Sequence, residues 1–254
     1  MSALIFDTHA HYDDERFDEI RDELLFDMPN QNVGAIIHQS IDYQSSLKAV
    51  EYTKKYPLFY AAVGIHPQEV KEDTVFSCEA FEPLLENEKI VAIGEIGHDY
   101  YWDTTFKEKQ KEILLKEIEF ANKHNLPVSF HDREAHADSL EILTSTKPKG
   151  VVHCFSGSME MAKEILKIGM YIGVGGVITF KNSKNLCEVV AAVPIERIFL
   201  ETDAPYLAPE PFRGKTNNSA YIKYIAEKVA EIKNLTTDEV LNITASNAKT
   251  LFKI

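Results

Sequence analysis

Asp7-Thr8-His9-Ala10-His11 carries two histidines two positions apart. On an extended segment, residues i and i+2 point to the same side, so both imidazoles could share one ion. Glu95 and Asp203 offer hard anionic oxygens, and His131 and His153 offer two further nitrogens, a mixed set that suits zinc, manganese or magnesium. A lone histidine is more often a hydrogen-bonded structural residue than a ligand. Burying four imidazoles and two carboxylates together without a cation, however, would cost on the order of several kcal/mol each in lost hydration. The six residues therefore predict bound divalent metal, with donors enough for two ions. Such a pair would lower the pKa of a shared water toward neutrality, and Asp203, beside that water, is the candidate general base.

These residues need a scaffold that gathers them, and the chain supplies a repeating one. Short apolar runs recur eight times, at residues 4–6, 33–37, 58–63, 90–93, 126–130, 150–152, 170–174 and 198–200. Amphipathic segments lie between them, the pattern of parallel strands joined by helical crossovers. Six of the eight runs are followed by a candidate residue: His9 and His11, His66, Glu95, His131, His153 and Asp203. In a (β/α)8 TIM barrel all of these positions lie on the C-terminal rim, where active sites assemble. A doubly wound open sheet would instead need a glycine-rich phosphate loop after the first strand, and His9 and His11 stand there.

Helix ends are readable. Thr105 and Glu108 have capping-box spacing, Ser158 precedes an amphipathic run that Gly169 closes, and residues 237–252 form a terminal helix. At 254 residues the chain matches the length of about 250 typical of one such barrel, so residues 1–254 are expected to form a single α/β domain. The first residues lack a basic stretch followed by an apolar one, and no window reaches the ~18 uninterrupted apolar residues of a membrane span. A cytoplasmic monomer with no membrane contact and no obligatory protein partner is expected. Three cysteines without CxxC spacing, Cys78, Cys154 and Cys187, are expected to be reduced and buried.

A net charge of −13 opposes broad nonspecific binding to nucleic acid, so an anionic substrate must be gripped locally. Arg133, two residues past His131, and Arg213 with Lys215, after the eighth run, are the candidate phosphate contacts. Tyr100, Tyr101 and Trp102 could stack on bases or simply pack a loop. His38 could support a metal ligand from behind or be purely structural, His98 and His136 could reach substrate or lie on surface loops, and His124 is expected to cap a helix C-terminus.

Five segments carry a family resemblance: Asp7 to His11, Gly64-Ile65-His66-Pro67, Gly94-Glu95-Ile96-Gly97, His153-Cys154-Phe155-Ser156-Gly157 and residues 201–207. Together with Phe212-Arg213-Gly214-Lys215 and residues 247–252, the chain resembles the TatD family of metal-dependent deoxyribonucleases. The resemblance implies an amidohydrolase-like barrel with two divalent ions that hydrolyses DNA, with a single strand or a 3′ end as the expected substrate. It puts His9, His11, Glu95 and Asp203 on the first ion and Glu95, His131 and His153 on the second, so that Glu95 bridges. Glu95 and Asp203 become the catalytic carboxylates. His66 is implied as a phosphate contact, beside Arg133, Arg213 and Lys215. The same chemistry would serve a hydrolase of small esters, lactones, amides or D-aminoacyl-tRNA esters. Two positions depart from the family pattern: His98 stands for a usual leucine, and Ser219 for a usual proline.

Overall fold

The computed structural model describes residues 3–254, so positions 1 and 2 of the expected domain lie outside the described residues. Eight strands follow chain order in one sheet: β1 (Ile5–Ala10), β2 (Val33–Gln39), β3 (Phe59–Val63), β4 (Ile90–Asp99), β5 (Val128–Arg133), β6 (Gly150–Val152), β7 (Tyr171–Val174) and β8 (Ile198–Leu200). Every neighbouring pair from β1 to β8 is parallel. The seam is drawn shut by an Ala10–Ala204 bridge and by two backbone bonds, Asp203 N–H to His9 O (2.9 Å) and His11 N–H to Ala204 O (2.7 Å). The result is the (β/α)8 barrel expected from the repeating runs.

The helices are α1 (Arg21–Asp27), α2 (Tyr43–Lys55), α3 (Cys78–Phe81), α4 (Lys107–Lys123), α5 (His136–Thr146), α6 (Met159–Lys167), α7 (Lys184–Ala192), α8 (Ile222–Lys233) and α9 (Thr237–Phe252). Ser158 caps α6 through its side chain, and Gly169 follows the helix at φ 90°. The Thr105–Glu108 capping box does not form. Asp103 Oδ1 takes the Thr105 N–H at 2.8 Å, which extends the loop and delays α4 to Lys107. No helix among the described residues is long and apolar enough to cross a membrane. The three cysteines are free, and each is half-buried rather than fully buried.

Strand alternation sorts the core. Ile37, Val151 and Phe199 share one apolar cluster with Phe6, Val91 and the α9 residues Ala245, Ala248 and Phe252. Each of the first three lies two residues before a buried polar group, Gln39, His153 and Glu201, hence on the same strand face. The polar site therefore stands on an apolar floor within the barrel. The opposite strand faces pack against the helices in the larger cluster, with Ile36, Val63, Ile96, Phe130, Val174 and Leu200 among its members. Register shifts in β1 between Asp7 and Ala10, and in β4 between Ile93 and Ile96, fall where His9 and Glu95 sit. Such irregularities re-aim side chains, and they concentrate at sites of this kind.

Candidate metal centre

The polar residues do not wait for the strands to end. β1 runs on through His9, β4 through Glu95 as far as Asp99, and β5 through His131, whereas His66, His153 and Asp203 lie just beyond β3, β6 and β8. All seven side chains meet at one mouth. Three overlapping groups have donor atoms within 4.8 Å of one another: His9, Glu95 and His153; His9, His11 and Asp203; His66, Glu95 and His131.

Glu95 is at the middle. Its Oε2 stands 3.2 Å from both His9 Nε2 and His11 Nε2, which are themselves 3.2 Å apart. Asp203 Oδ1 completes this side at 3.8 Å from His9 and 3.6 Å from His11. Donors about 2.0 to 2.2 Å from one ion stand about 3.3 to 3.6 Å apart at the tetrahedral angle, close to the distances of His9 and His11 from each other, from Glu95 and from Asp203. The other oxygen, Oε1, faces His131 Nδ1 and His153 Nε2, each at 2.7 Å, and those nitrogens are 3.0 Å apart. That spacing is nearer the roughly 3 Å between right-angled ligands about 2.1 Å from an ion. Nitrogen and carboxylate donors, buried and at these separations, fit a divalent metal.

The charges of these side chains follow from the same contacts. Burial disfavours a charged His11, but Glu95, Asp203 and Asp13 outweigh it and hold its pKa at about 9. Burial likewise opposes protonation of His131, and Asp99 with Glu95 overcomes it to give about 10. Fully buried His9 goes the other way, well below the ordinary histidine value, because desolvation and the neighbouring His153 dominate. Burial also raises Asp203. Glu95 is held well below the carboxylate range by the surrounding imidazoles, against its own burial.

His66 is placed differently. Its Nδ1 accepts the Gln68 N–H at 3.1 Å, and its Nε2 faces Glu95 Oε1 at 3.4 Å. Burial lowers its pKa, so the ring is neutral with its proton on Nε2, a donor turned toward Glu95.

A family model described as "TatD related DNase" matches residues 6–253. The chain belongs to the TatD family. It is 41% identical over 254 residues, 99% of this chain and all of the other, to the uncharacterized metal-dependent hydrolase YabD of Bacillus subtilis. The crystal structure of the TatD homologue YjjV from Escherichia coli superposes with a TM-score of 0.92 at 30% identity, covering both chains completely. A TatD family hydrolase from Entamoeba histolytica superposes at 0.82 with 26% identity over 99% of each chain. This TatD chain is therefore a metal-dependent hydrolase.

The other positions singled out from the sequence lie outside the cluster. His98 is neither at the mouth nor on a surface loop: it is fully buried, one residue out of step with Glu95 and Asp99, and its Nδ1 meets Ser139 Oγ of α5 at 3.3 Å. His136 opens α5 and bonds Asp132 Oδ2 at 2.6 Å. His38 is buried with its Nδ1 accepting the Tyr12 N–H, and His124 ends α4 as its C-cap. Tyr100 is committed to Asp138, whereas Tyr101 and Trp102 are exposed. Ser219 uses the N–H that a proline would lack, donating to Tyr12 Oη at 2.8 Å, while its hydroxyl donates to Asp7 Oδ2 at 2.6 Å. Asp7 also accepts from Thr202 and so ties β1 to the chain after β8.

Two carboxylates escaped the sequence reading. Asp99 Oδ2 accepts from His131 Nε2 at 3.1 Å, and Glu201 Oε1 lies 3.8 Å from His153 Nδ1 while accepting the Cys154 N–H. Burial raises Glu201 to about 8. Gly173 makes room for it, since a Cβ there would come within 2.2 Å of Glu201 Oε2.

Proposed function

We propose that this chain is a two-metal phosphodiesterase that hydrolyses DNA, in which Glu95 would contribute to holding both ions. The observation that carries the reading is that the two oxygens of one buried carboxylate face two different donor sets. His9, His11 and Asp203 would hold one ion with Glu95, and His131 and His153 would hold the other. When bound, such ions supply the positive charge that acidifies a water and neutralises a phosphate.

The chain's own groups do the rest. Asp203 takes the proton of the attacking water and returns it to the leaving sugar oxygen as the phosphorus–oxygen bond breaks. His66 donates from Nε2 to a phosphate oxygen. Phosphate binding away from the centre falls to Arg133, Arg213 and Lys215. Of the five arginines, Arg16, Arg21 and Arg197 are tied to carboxylate or carbonyl oxygens. The Arg133 and Arg213 guanidiniums have no such partner among the described residues; each lies over an aromatic ring, Tyr101 at 3.9 Å and Phe180 at 4.3 Å. Lys215 lies over Phe212 at 5.6 Å. Cations left unpaired at the rim of an acidic protein are free to meet phosphates.

The test is to strip the protein of metal, restore magnesium, manganese or zinc separately, and assay end-labelled single- and double-stranded DNA beside an aryl ester. Metal-dependent DNA cleavage is expected. Ester turnover with intact DNA would overturn the reading.

A further inference from the structure

Asp99 is held from every side. Its backbone N–H donates to Gln110 Oε1 and its carbonyl accepts from Gln110 Nε2, both at 3.1 Å, so one amide on α4 fixes the peptide in both directions. The side chain is equally committed: Oδ1 accepts the Tyr101 N–H at 2.9 Å, and Oδ2 accepts from Gln68 Nε2 at 2.8 Å as well as from His131 Nε2. Gln68 is also the residue whose backbone N–H fixes His66 Nδ1. Two turns along α4 from Gln110, Glu117 Oε1 accepts the Ile65 N–H at 2.7 Å and anchors the same segment from its other end.

We infer that Asp99 and Gln68 are positioning residues that together set which nitrogen of His131 and of His66 faces Glu95. A carboxylate accepts only, so His131 must present N–H at Nε2 to Asp99; Nδ1, 2.7 Å from Glu95 Oε1, is then the nitrogen that would give up its proton and offer a lone pair when an ion binds. His66 has the opposite setting, with its lone pair at Nδ1 turned away from Glu95. One hydrogen bond, Gln68 to Asp99, ties the two settings together: the ring on β5 offers a lone pair to the centre, and the ring after β3 offers a proton. The inference rests on the reading of His131 as a metal ligand, so the test separates the two.

Asp99→Asn keeps the shape. With its oxygen retained by the Tyr101 N–H, its amide would turn N–H groups toward His131 Nε2 and Gln68 Nε2, and the ring's proton would move to Nδ1, on the ligand side. Zinc affinity, measured by competition with a chromogenic chelator, is expected to fall about 10- to 100-fold, the usual cost of losing such a partner. In the zinc-loaded wild type, nitrogen–proton correlation spectra of the imidazoles should show His131 protonated at Nε2, with the resonance assigned by its absence in His131→Asn. Asp99→Asn should lose that pattern while its far-ultraviolet circular dichroism stays unchanged. Gln68→Met, a milder change that leaves Asp99 in place, should lower zinc affinity less and broaden the His66 resonances. Wild-type zinc affinity and an unchanged ring pattern in Asp99→Asn would overturn the inference, as would a Gln68→Met protein with unaltered His66. If His131→Asn itself binds zinc as the wild type does, the ligand reading has failed instead.

Discussion

The two flanks of Glu95 are built differently. Toward β1 and β8, the donors of His9, His11 and Asp203 spread over 3.2 to 3.8 Å, and the ring behind them is propped by a neutral group, Ser129 Oγ at 3.3 Å from His9 Nδ1. Toward β5 and β6, the donors of His131 and His153 lie within 3.0 Å; the Asp99 carboxylate hydrogen-bonds His131 from behind, and the Glu201 carboxyl stands 3.8 Å behind His153. The Asp203 side chain on the first flank is 18% exposed. A looser set with an accessible carboxylate suits the flank where water enters and a proton is taken, and a tight set with the Asp99 carboxylate behind His131 suits an ion that stays.

The largest effect should come from the residue the flanks share. Glu95→Ala removes an oxygen from both donor sets, and DNA hydrolysis is expected to fall below detection with the fold retained by circular dichroism; near wild-type turnover would end the two-flank picture. Asp203→Asn touches one flank only. It should lower kcat by about 10²- to 10⁴-fold, the range for loss of a general base, while metal analysis still finds the β5–β6 ion in place. Loss of all metal from that variant would show that the flanks do not act separately.

Much of this contrast could be read from the chain, and what could not has physical reasons. The HxH pair, Glu95, His131, His153 and Asp203 were visible because they break apolar runs, and a barrel rim is where such breaks converge. Ending each strand at its last apolar residue hid Asp99, although stepping by twos from Glu95 through Gly97 reaches it; β4 continues because its polar residues are paired across the ladder with β5. The same stepping places His98 on the opposite face, against α5. Glu201 was masked by Asp203, two positions on, which took the attention at the end of β8. Thr105 failed as a cap because Asp103 competes for the same backbone, a contest that spacing alone does not decide.

Acidity sharpens the comparison further. His11 on one flank and His131 on the other are raised to about 9 and about 10 in the metal-free protein, so both are protonated at neutral pH. An ion on either flank must displace a proton, and apparent affinity therefore rises with pH until those values are passed. His153 on one flank and Asp203 on the other are raised as well. The upward shifts of His11 and His131 stabilise the metal-free fold. That contribution is complete below the ordinary histidine value of 6.5 and is lost as pH rises through about 9 and then about 10. Calorimetry in buffers of different ionisation enthalpy at pH 7 should show at least one proton released per ion; zero release on either flank would contradict the charge assignment.

The smallest effect concerns the rim. Lys215 follows β8, on the open flank, and has no carboxylate partner among the described residues, so its charge contributes through long-range attraction to phosphate rather than through the centre. Lys215→Ala should weaken DNA binding severalfold, flatten the dependence of log affinity on log salt by about one, and leave turnover of a small phosphodiester nearly unchanged. The small substrate reaches the ions without spanning the rim, whereas a polynucleotide must cross it. Equal losses on both substrates would place Lys215 at the centre instead and would mean that the open flank extends beyond Asp203.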